Sequence, residues 1–392
     1  MKTRLSRLRD LGITIGTQPT GAQNAITDVP GVRVGYATVV HGDGPLRVGA
    51  GPARTGVTAI HPHEGSVFQA MIPASIAVLN GAGEITGRSQ VDEYGLIETP
   101  ILITNTLSVG AVHMGCVEWL TEHEPSLGTR DFVIPVVAET FDGFLNDVAG
   151  QHVTRDHVFA ALDSATSGPV MEGNVGGGTG MTLFRFKGGT GTSSRVVPVG
   201  GQEYTVGVLV QGNFGRREDL LVDGVPVGLE ITDLLPERGT PPDERRDGSI
   251  IVVIGTDAPL TDRQLSRLCR RGMLGLGRVG STATHSSGDL LIAFSNAPEN
   301  RVDRFETRTL LINTFINDTQ MNDLFQATIE ATAEAVLNAL VAAETMTGRD
   351  GNIAHALPHD RLRAIMRQYG RLRDGNTVRM TGDAENVGCR NG

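Results

Sequence analysis

The sequence predicts a layered α/β or α+β sandwich in which helices cover mixed sheets. Three observations lead there. Short β-branched apolar runs recur along the chain, among them Ile-Leu-Ile-Thr after Pro100 and Ile-Ile-Val-Val-Ile at 250–254. Helical patterns separate groups of these runs, but not as regular βαβ units. Glycine accounts for 51 of 392 residues, about 13 % against a usual ~7 %, which implies many tight turns and close backbone approaches. Aromatic residues are only 4 %, so the core must be mainly Val, Leu, Ile and Ala.

The elements follow in order. Residues 1–50 are turn-rich, with one strand pattern near Val32 to Tyr36. Between 56 and 80 three apolar runs separated by turns read as strands, and Pro100 to Thr106 as another. Ser108 is placed to cap a helix running to about Glu122, with Val112, Cys116, Trp119 and Leu120 on one face. Asp131 to Glu139 reads as a strand, and Thr154 as the N-cap of a helix over 155–164. Residues 195–212 form a hairpin-like pair. Thr261 and Gln264 make a capping box, with Leu260 and Leu265 as its staple, and Arg270 and Arg271 fall in a last turn before Gly272. Strands are expected at Leu290 to Phe294 and Thr309 to Phe315. A long helix runs from Asp318 to about Met346, and a short one from Asp360 to about Tyr369.

Composition excludes several function classes. The net charge of −10, without a dense basic patch, argues against a nucleic-acid binder. Nearly all the positive charge is Arg; the lysines are Lys2 and Lys187. Three cysteines, Cys116, Cys269 and Cys389, without CxxC spacing, indicate a reducing compartment and neither a disulfide framework nor a zinc site. With no apolar leader and no run of ~18 apolar residues, the expectation is cytoplasmic, away from membranes.

The motif search is mostly negative. In the Gly-rich stretch 173–195, Lys187 lies between Phe186 and Gly188, which fails the phosphate-loop pattern. Met181 to Phe186 reads as a strand and not as the helix a dinucleotide site needs. The stretch is better explained by backbones packing closely beside a strand. His355 and His359 are four apart, but Pro358 breaks the helix that would align them for a metal. His61 and His63 flank Pro62 and suit a loop or the surface.

One seam stands out. A polar segment carrying Pro236, Pro241 and Pro242 stops at Gly248, and the apolar run begins at Ile250, with Ser249 between them. Cleavage of Gly248–Ser249 would leave Ser249 as a new N-terminus with its own α-amine as base. An ordinary loop-to-strand junction is the competing reading. Asn213, in Gln-Gly-Asn-Phe-Gly, is a candidate oxyanion donor, or a turn residue. Ser287 and Asp289 are two apart before a strand and can orient Ser249 and its amine, or simply make a turn.

Long blocks carry a resemblance across most of the chain. They include PTGAQNAITDVPGVRVGYATV, LNGAGEITGRSQVDEYGLIETPILITNTLSVG, EGNVGGGTGM, FKGGTGTSSR, QGNFG, DGSIIVVIGTDAPL and SSGDLLIAFSN. These resemble the DmpA-type peptidases of family S58, the L-aminopeptidase/D-esterases and β-peptidyl aminopeptidases. The resemblance implies a four-layer αββα sandwich like that of the ornithine acetyltransferases and other N-terminal-nucleophile enzymes. It implies a single domain over 1–392 that processes itself into 1–248 and 249–392. Ser249 then matches the nucleophile, Asn213 the oxyanion donor, Ser287 and Asp289 the Ser-x-acid pair, and Glu139 the group that meets the substrate's amine. Phe141 and Phe144 stand in the substrate-binding stretch where family members can have a Tyr hydroxyl.

The implied activity is release of the N-terminal residue from small peptides, amides or esters of L-, D- or β-amino acids, with no metal or cofactor. The implied assembly is a homo-oligomer, a tetramer of processed alpha-beta heterodimers. An acyltransferase of the ornithine acetyltransferase kind is the alternative, although those enzymes resemble a Thr nucleophile at this seam.

Overall fold

The computed structural model of the chain describes residues 6–238 and 248–372. Nine principal strands build two sheets: β1 (Arg33–His41), β2 (Ala53–His61), β3 (Ala70–Gly81), β4 (Ile101–Asn105), β5 (Val136–Thr140), β6 (Gly189–Val199), β7 (Gln202–Asn213), β8 (Gly248–Thr256) and β9 (Ser287–Ser295). Five helices are used below: α1 (Val109–His123), α2 (Arg155–Asp163), α3 (Asp262–Arg278), α4 (Asn322–Val341) and α5 (His359–Gln368). The first sheet has the order β1-β2-β4-β5; the second has β3-β9-β8-β7-β6, with short strand Val302–Asp303 beyond β3. Both are mixed: β4/β5 and β8/β9 are parallel and the other principal pairs antiparallel.

Alternating side chains divide the core into three layers. From β8, Ile251 and Val253 meet Ile101, Ile103, Val136 and Ala138 of the first sheet. Ile250, Val252 and Ile254 point the other way, into α3 and α4, against Leu265, Leu268, Leu276 and Val336. On the far side of the first sheet, Leu102 and Val137 pack on Val112, Cys116 and Leu120 of α1 and on Val158 and Leu162 of α2. The order is helices, sheet, sheet, helices, which is the expected αββα sandwich. Burial on both faces explains why β8 is apolar at five consecutive positions.

Close backbone approach accounts for the Gly-rich stretch. A Cβ on Gly191 of β6 would lie 2.0 Å from the Ala335 carbonyl of α4, so only glycine lets this strand and helix meet. Arg195 of β6 is fully buried and reaches Glu330 and Glu334 of the same helix at 3.1 and 2.7 Å. The capping box before α3 forms as expected: Gln264 N–H donates to Thr261 Oγ1 at 3.3 Å, and Thr261 N–H to Gln264 Oε1 at 3.1 Å.

Several expectations are corrected. α3 does not end before Gly272 but runs on to Arg278. Gly272 and Gly275 are interior positions without room for a side chain: a Cβ on Gly272 would lie 2.7 Å from Leu291 Cδ2 of β9, and one on Gly275 2.7 Å from Thr332 Cβ of α4. Thr309 to Phe315 is not a strand, and Leu310 and Ile312 are 83 % and 89 % exposed. β5 starts only at Val136, and α1 at Val109 after a 3-10 turn capped by Asn105, whose side chain accepts the Ser108 N–H. His61 and His63 are buried and not at the surface; His61 Nε2 lies 3.1 Å from the Leu162 carbonyl, and burial pushes this imidazole down to about 4. Cys116 and Cys269 are free and buried, whereas Cys389 lies outside the described residues. No helix among the described residues is long and apolar enough to cross a membrane.

Candidate active site

Ser249 is the second residue of β8 and is 3 % exposed. Antiparallel pairing places Asn213, the last residue of β7, directly opposite it. Residues paired across a ladder point to the same face. Both side chains therefore face the first sheet, like Ile251 and Val253 further along β8. There they meet the chain leaving β5. The Phe141 N–H donates to Ser249 Oγ at 3.3 Å, and the Phe141 carbonyl accepts from Asn213 Nδ2 at 2.7 Å.

The orientation of the Asn213 amide follows from its partners. Oδ1 accepts the Thr182 N–H at 2.9 Å and Nδ2 meets a carbonyl, so a flip would set donor against donor and acceptor against acceptor. Nδ2 carries a second N–H besides the one given to Phe141.

Glu139 is the penultimate residue of β5 and is buried. The Glu84 N–H donates to its Oε1 at 3.1 Å, and Thr106 Oγ1 donates to its Oε2. Burial raises its pKa, and these two donors oppose that rise. The turn at Gly83 is wedged between this carboxylate and Gly288, the residue of β9 beside Ser249; a Cβ on Gly83 would lie 2.9 Å from Glu139 Oε1 and 3.1 Å from Gly288 Cα. Carboxylate, hydroxyl and amide thus gather at one mouth between the sheets.

Ser287 and Asp289 bond to each other, Oγ to Oδ1 at 2.6 Å. In the β8/β9 ladder they pair with Gly248 and Ile250, while Ser249 pairs with Gly288. Strand alternation puts them on the face opposite the Ser249 hydroxyl. Their reach is to the backbone at 248–249, where a new amine would appear, and not to Oγ. Burial raises the Asp289 pKa, and its Oδ2 is buried without a hydrogen-bond partner.

Phe141 exposes 39 % of its surface beside the site. Phe144 is half-buried and lies under the Arg238 guanidinium at 5.5 Å, with its carbonyl accepting from Asn352 Nδ2. The upstream polar segment is described only to Arg238 and is largely exposed there; the rest, through Asp247, lies outside the described residues. His355 pairs with Glu237 and His359 with the Val341 carbonyl, and no metal-holding cluster of three or more His, Cys, Asp or Glu occurs among the described residues.

Residues 24–354 match the model of peptidase family S58. The chain belongs to peptidase family S58. It is 49 % identical over 371 residues to β-peptidyl aminopeptidase BapA of Sphingosinicella xenopeptidilytica, covering 92 % of this chain and 91 % of that protein. The solved L-aminopeptidase D-Ala-esterase/amidase of Ochrobactrum anthropi, described as a serine aminopeptidase and a variant of the N-terminal-nucleophile hydrolase fold, superposes with a TM-score of 0.87. It shares 44 % identity over 94 % of this chain and 99 % of that one. A Burkholderia β-aminopeptidase gives 0.83 and 43 % over 93 % and 99 %.

This S58 chain is accordingly a serine-type aminopeptidase of the N-terminal-nucleophile class. The acyltransferase alternative finds no support among these relatives.

Sequence reasoning missed what the S58 site uses as supports. Thr106 holds Glu139, the backbone of Phe141 bonds to both Ser249 and Asn213, and Thr182 fixes the Asn213 amide. Gln211, fully buried, ties β7 to the first sheet through the Thr104 carbonyl and Thr140 Oγ1. The backbone groups of Phe141 and Thr182 carry no residue-type signal; Gln211, a polar residue in an apolar strand, does carry one.

Proposed function

We propose that the chain cleaves its own Gly248–Ser249 bond and that the product is an aminopeptidase for β-amino acid residues at the N-terminus of small peptides and amides. The arrangement that carries the reading is Ser249 opposite Asn213 at the mouth between the sheets, both bonded to the backbone of Phe141, one to its N–H and the other to its carbonyl. In the first stage Ser249 Oγ attacks the Gly248 carbonyl, the acyl group moves from nitrogen to oxygen, and water hydrolyses the ester. In the second stage the freed α-amine, with a reference pKa of about 7.7–8.0, takes the hydroxyl proton as Ser249 attacks the substrate carbonyl. An Asn213 N–H takes the oxyanion, the amine leaves, and water releases the acyl group. Glu139 receives the substrate ammonium, Ser287 and Asp289 orient the α-amine, and Phe141 and Phe144 border the substrate.

The preference for β-amino acids rests on the β-peptidyl aminopeptidases at 49 % and 48 % identity. Comparison of β-, L- and D-amino acid p-nitroanilides tests it; faster turnover of an L- or D-substrate overturns the preference but not the mechanism. Wild-type protein should run as two chains on a denaturing gel, with Ser at the N-terminus of the smaller. Ser249→Ala should remain one chain of 41.5 kDa. An uncut, active wild type would sink the self-processing claim. A homo-oligomer of processed pairs is part of the same proposal, and sedimentation of the processed enzyme tests it.

A further inference from the structure

Lys187 is fully buried behind this site, in a chain whose positive charge is otherwise almost wholly Arg. It follows Phe186 in a small hairpin, Thr182–Leu183 paired with Phe186–Lys187. Its Nζ donates to the Met181 carbonyl at 2.9 Å and to the Gly188 carbonyl at 2.7 Å. The Met181 carbonyl and the Thr182 N–H belong to one peptide group. That N–H donates to Asn213 Oδ1 at 2.9 Å, and Asn213 Nδ2 donates onward to the Phe141 carbonyl at 2.7 Å. A continuous line of donors and acceptors therefore runs from Nζ through one peptide to the side-chain amide of Asn213, the residue paired with Ser249 across the ladder.

Such chains polarise cooperatively. A cation on the carbonyl end of a peptide draws electron density toward oxygen and makes its N–H a better donor. That N–H does the same to the carboxamide of Asn213, whose Nδ2 hydrogens become more positive. The device places positive charge behind the oxyanion site without exposing it to substrate or water. An Arg would deliver a broad fork where a compact head meets two carbonyls. Burial lowers the Lys187 pKa to about 7, and the charge of Asp142, a fully buried carboxyl that burial raises to about 7, opposes that fall.

We propose that Lys187 is a positioning residue for the oxyanion site: its ammonium, through the Met181–Thr182 peptide, orients and polarises the Asn213 amide. The proposal rests on the reading of Asn213 as oxyanion donor, and the test separates the two. Asn213→Ala alone examines that reading: it should lower kcat and slow self-cleavage, and an unchanged rate removes both claims. Lys187→Met should then lower kcat about tenfold, part of the ~100-fold or more for losing a whole donor, with KM unchanged. A boronate that forms a tetrahedral adduct on Ser249 should lose affinity by the same factor.

In the double variant Lys187→Met should cost nothing beyond Asn213→Ala, because its effect passes through that side chain. A loss that adds in full, or one that falls on KM, overturns the relay while leaving Asn213 in place. Where processing is slow, the rate of self-cleavage of freshly made precursor gives the same comparison. Should Lys187→Met fail to fold, the wild-type enzyme still decides. Protein labelled with 15N-lysine has Nζ signals from Lys2 and Lys187 only. An ammonium shift for Lys187 at the pH of activity is expected, and a neutral amine there overturns the proposal.

Discussion

Asn213 and Ser249 are paired residues at the end of one antiparallel ladder, and a single residue just past the other sheet, Phe141, bonds to both side chains through its backbone. The nucleophile candidate and the amide donor are thus fixed by two strands that cannot slide independently. Slippage by one residue would turn both side chains to the opposite face.

Replacement of Asn213 by Ala should therefore act on the transition state and not on substrate binding. The expected loss in kcat is ~100–1000-fold with little change in KM. Steady-state kinetics on the processed enzyme check this, and a change confined to KM would contradict the role.

Thr106 is the residue to change for a test of the amine anchor. Its hydroxyl donates to the buried Glu139 carboxylate and helps hold it ionised against burial, which raises the pKa. On the proposed role in binding the amine, activity needs the ionised form, which is lost as pH falls through that raised pKa. Thr106→Val should move the acid limb to higher pH and raise KM about tenfold, the loss of ~1.5 kcal/mol for a hydrogen bond to a charged group. An acid limb that stays in place in a kcat/KM profile would argue that Glu139 does not bind the amine.

Asp289 is predicted to act on the base. Its carboxyl is buried and bonded only to Ser287 among the described residues. Cleavage at Gly248–Ser249 would place an ammonium beside it, and an anion raises the pKa of a neighbouring amine. Asp289→Asn should therefore shift the limb for amine deprotonation to lower pH while kcat falls from poorer orientation. A limb moved to higher pH contradicts the assignment.

Gly275 offers a test of the packing away from the site. A Cβ there would lie 2.7 Å from Thr332 Cβ and 2.8 Å from the Ile329 carbonyl. Gly275→Ala gains up to ~1 kcal/mol of helix propensity but forces α3 from α4 at a cost of about 1–3 kcal/mol. Denaturant unfolding should register a net loss of stability, and an unchanged midpoint would mean that the helices separate freely.

Much of the chain was legible as sequence because local patterns dictate local structure. The five apolar residues Ile250–Ile254, the capping box of Thr261 and Gln264, and the close packing of the glycines in 173–195 behave as their physical chemistry requires, whereas Met181 to Phe186 is a tight hairpin turning at Phe184 and Arg185 and not one strand. Thr309 to Phe315 misled because a β-branched run proposes a strand only where a partner strand exists, and none lies beside it among the described residues. Gly272 misled because a glycine after two arginines resembles a helix end, whereas the close approach of Leu291 from the sheet beneath was the reason for it.

By itself the sequence determined the kind of fold, the seam at Gly248–Ser249 and the candidates Ser249, Asn213, Ser287, Asp289 and Glu139. Tertiary structure alone decided how they are arranged. It set Asn213 against Ser249, turned Ser287 and Asp289 to the backbone side of the strand, buried Glu139 under Thr106, and placed Lys187 behind the Asn213 amide. The reason is that side-chain identity is local, whereas pairing register and sheet-to-sheet packing join residues far apart in the chain.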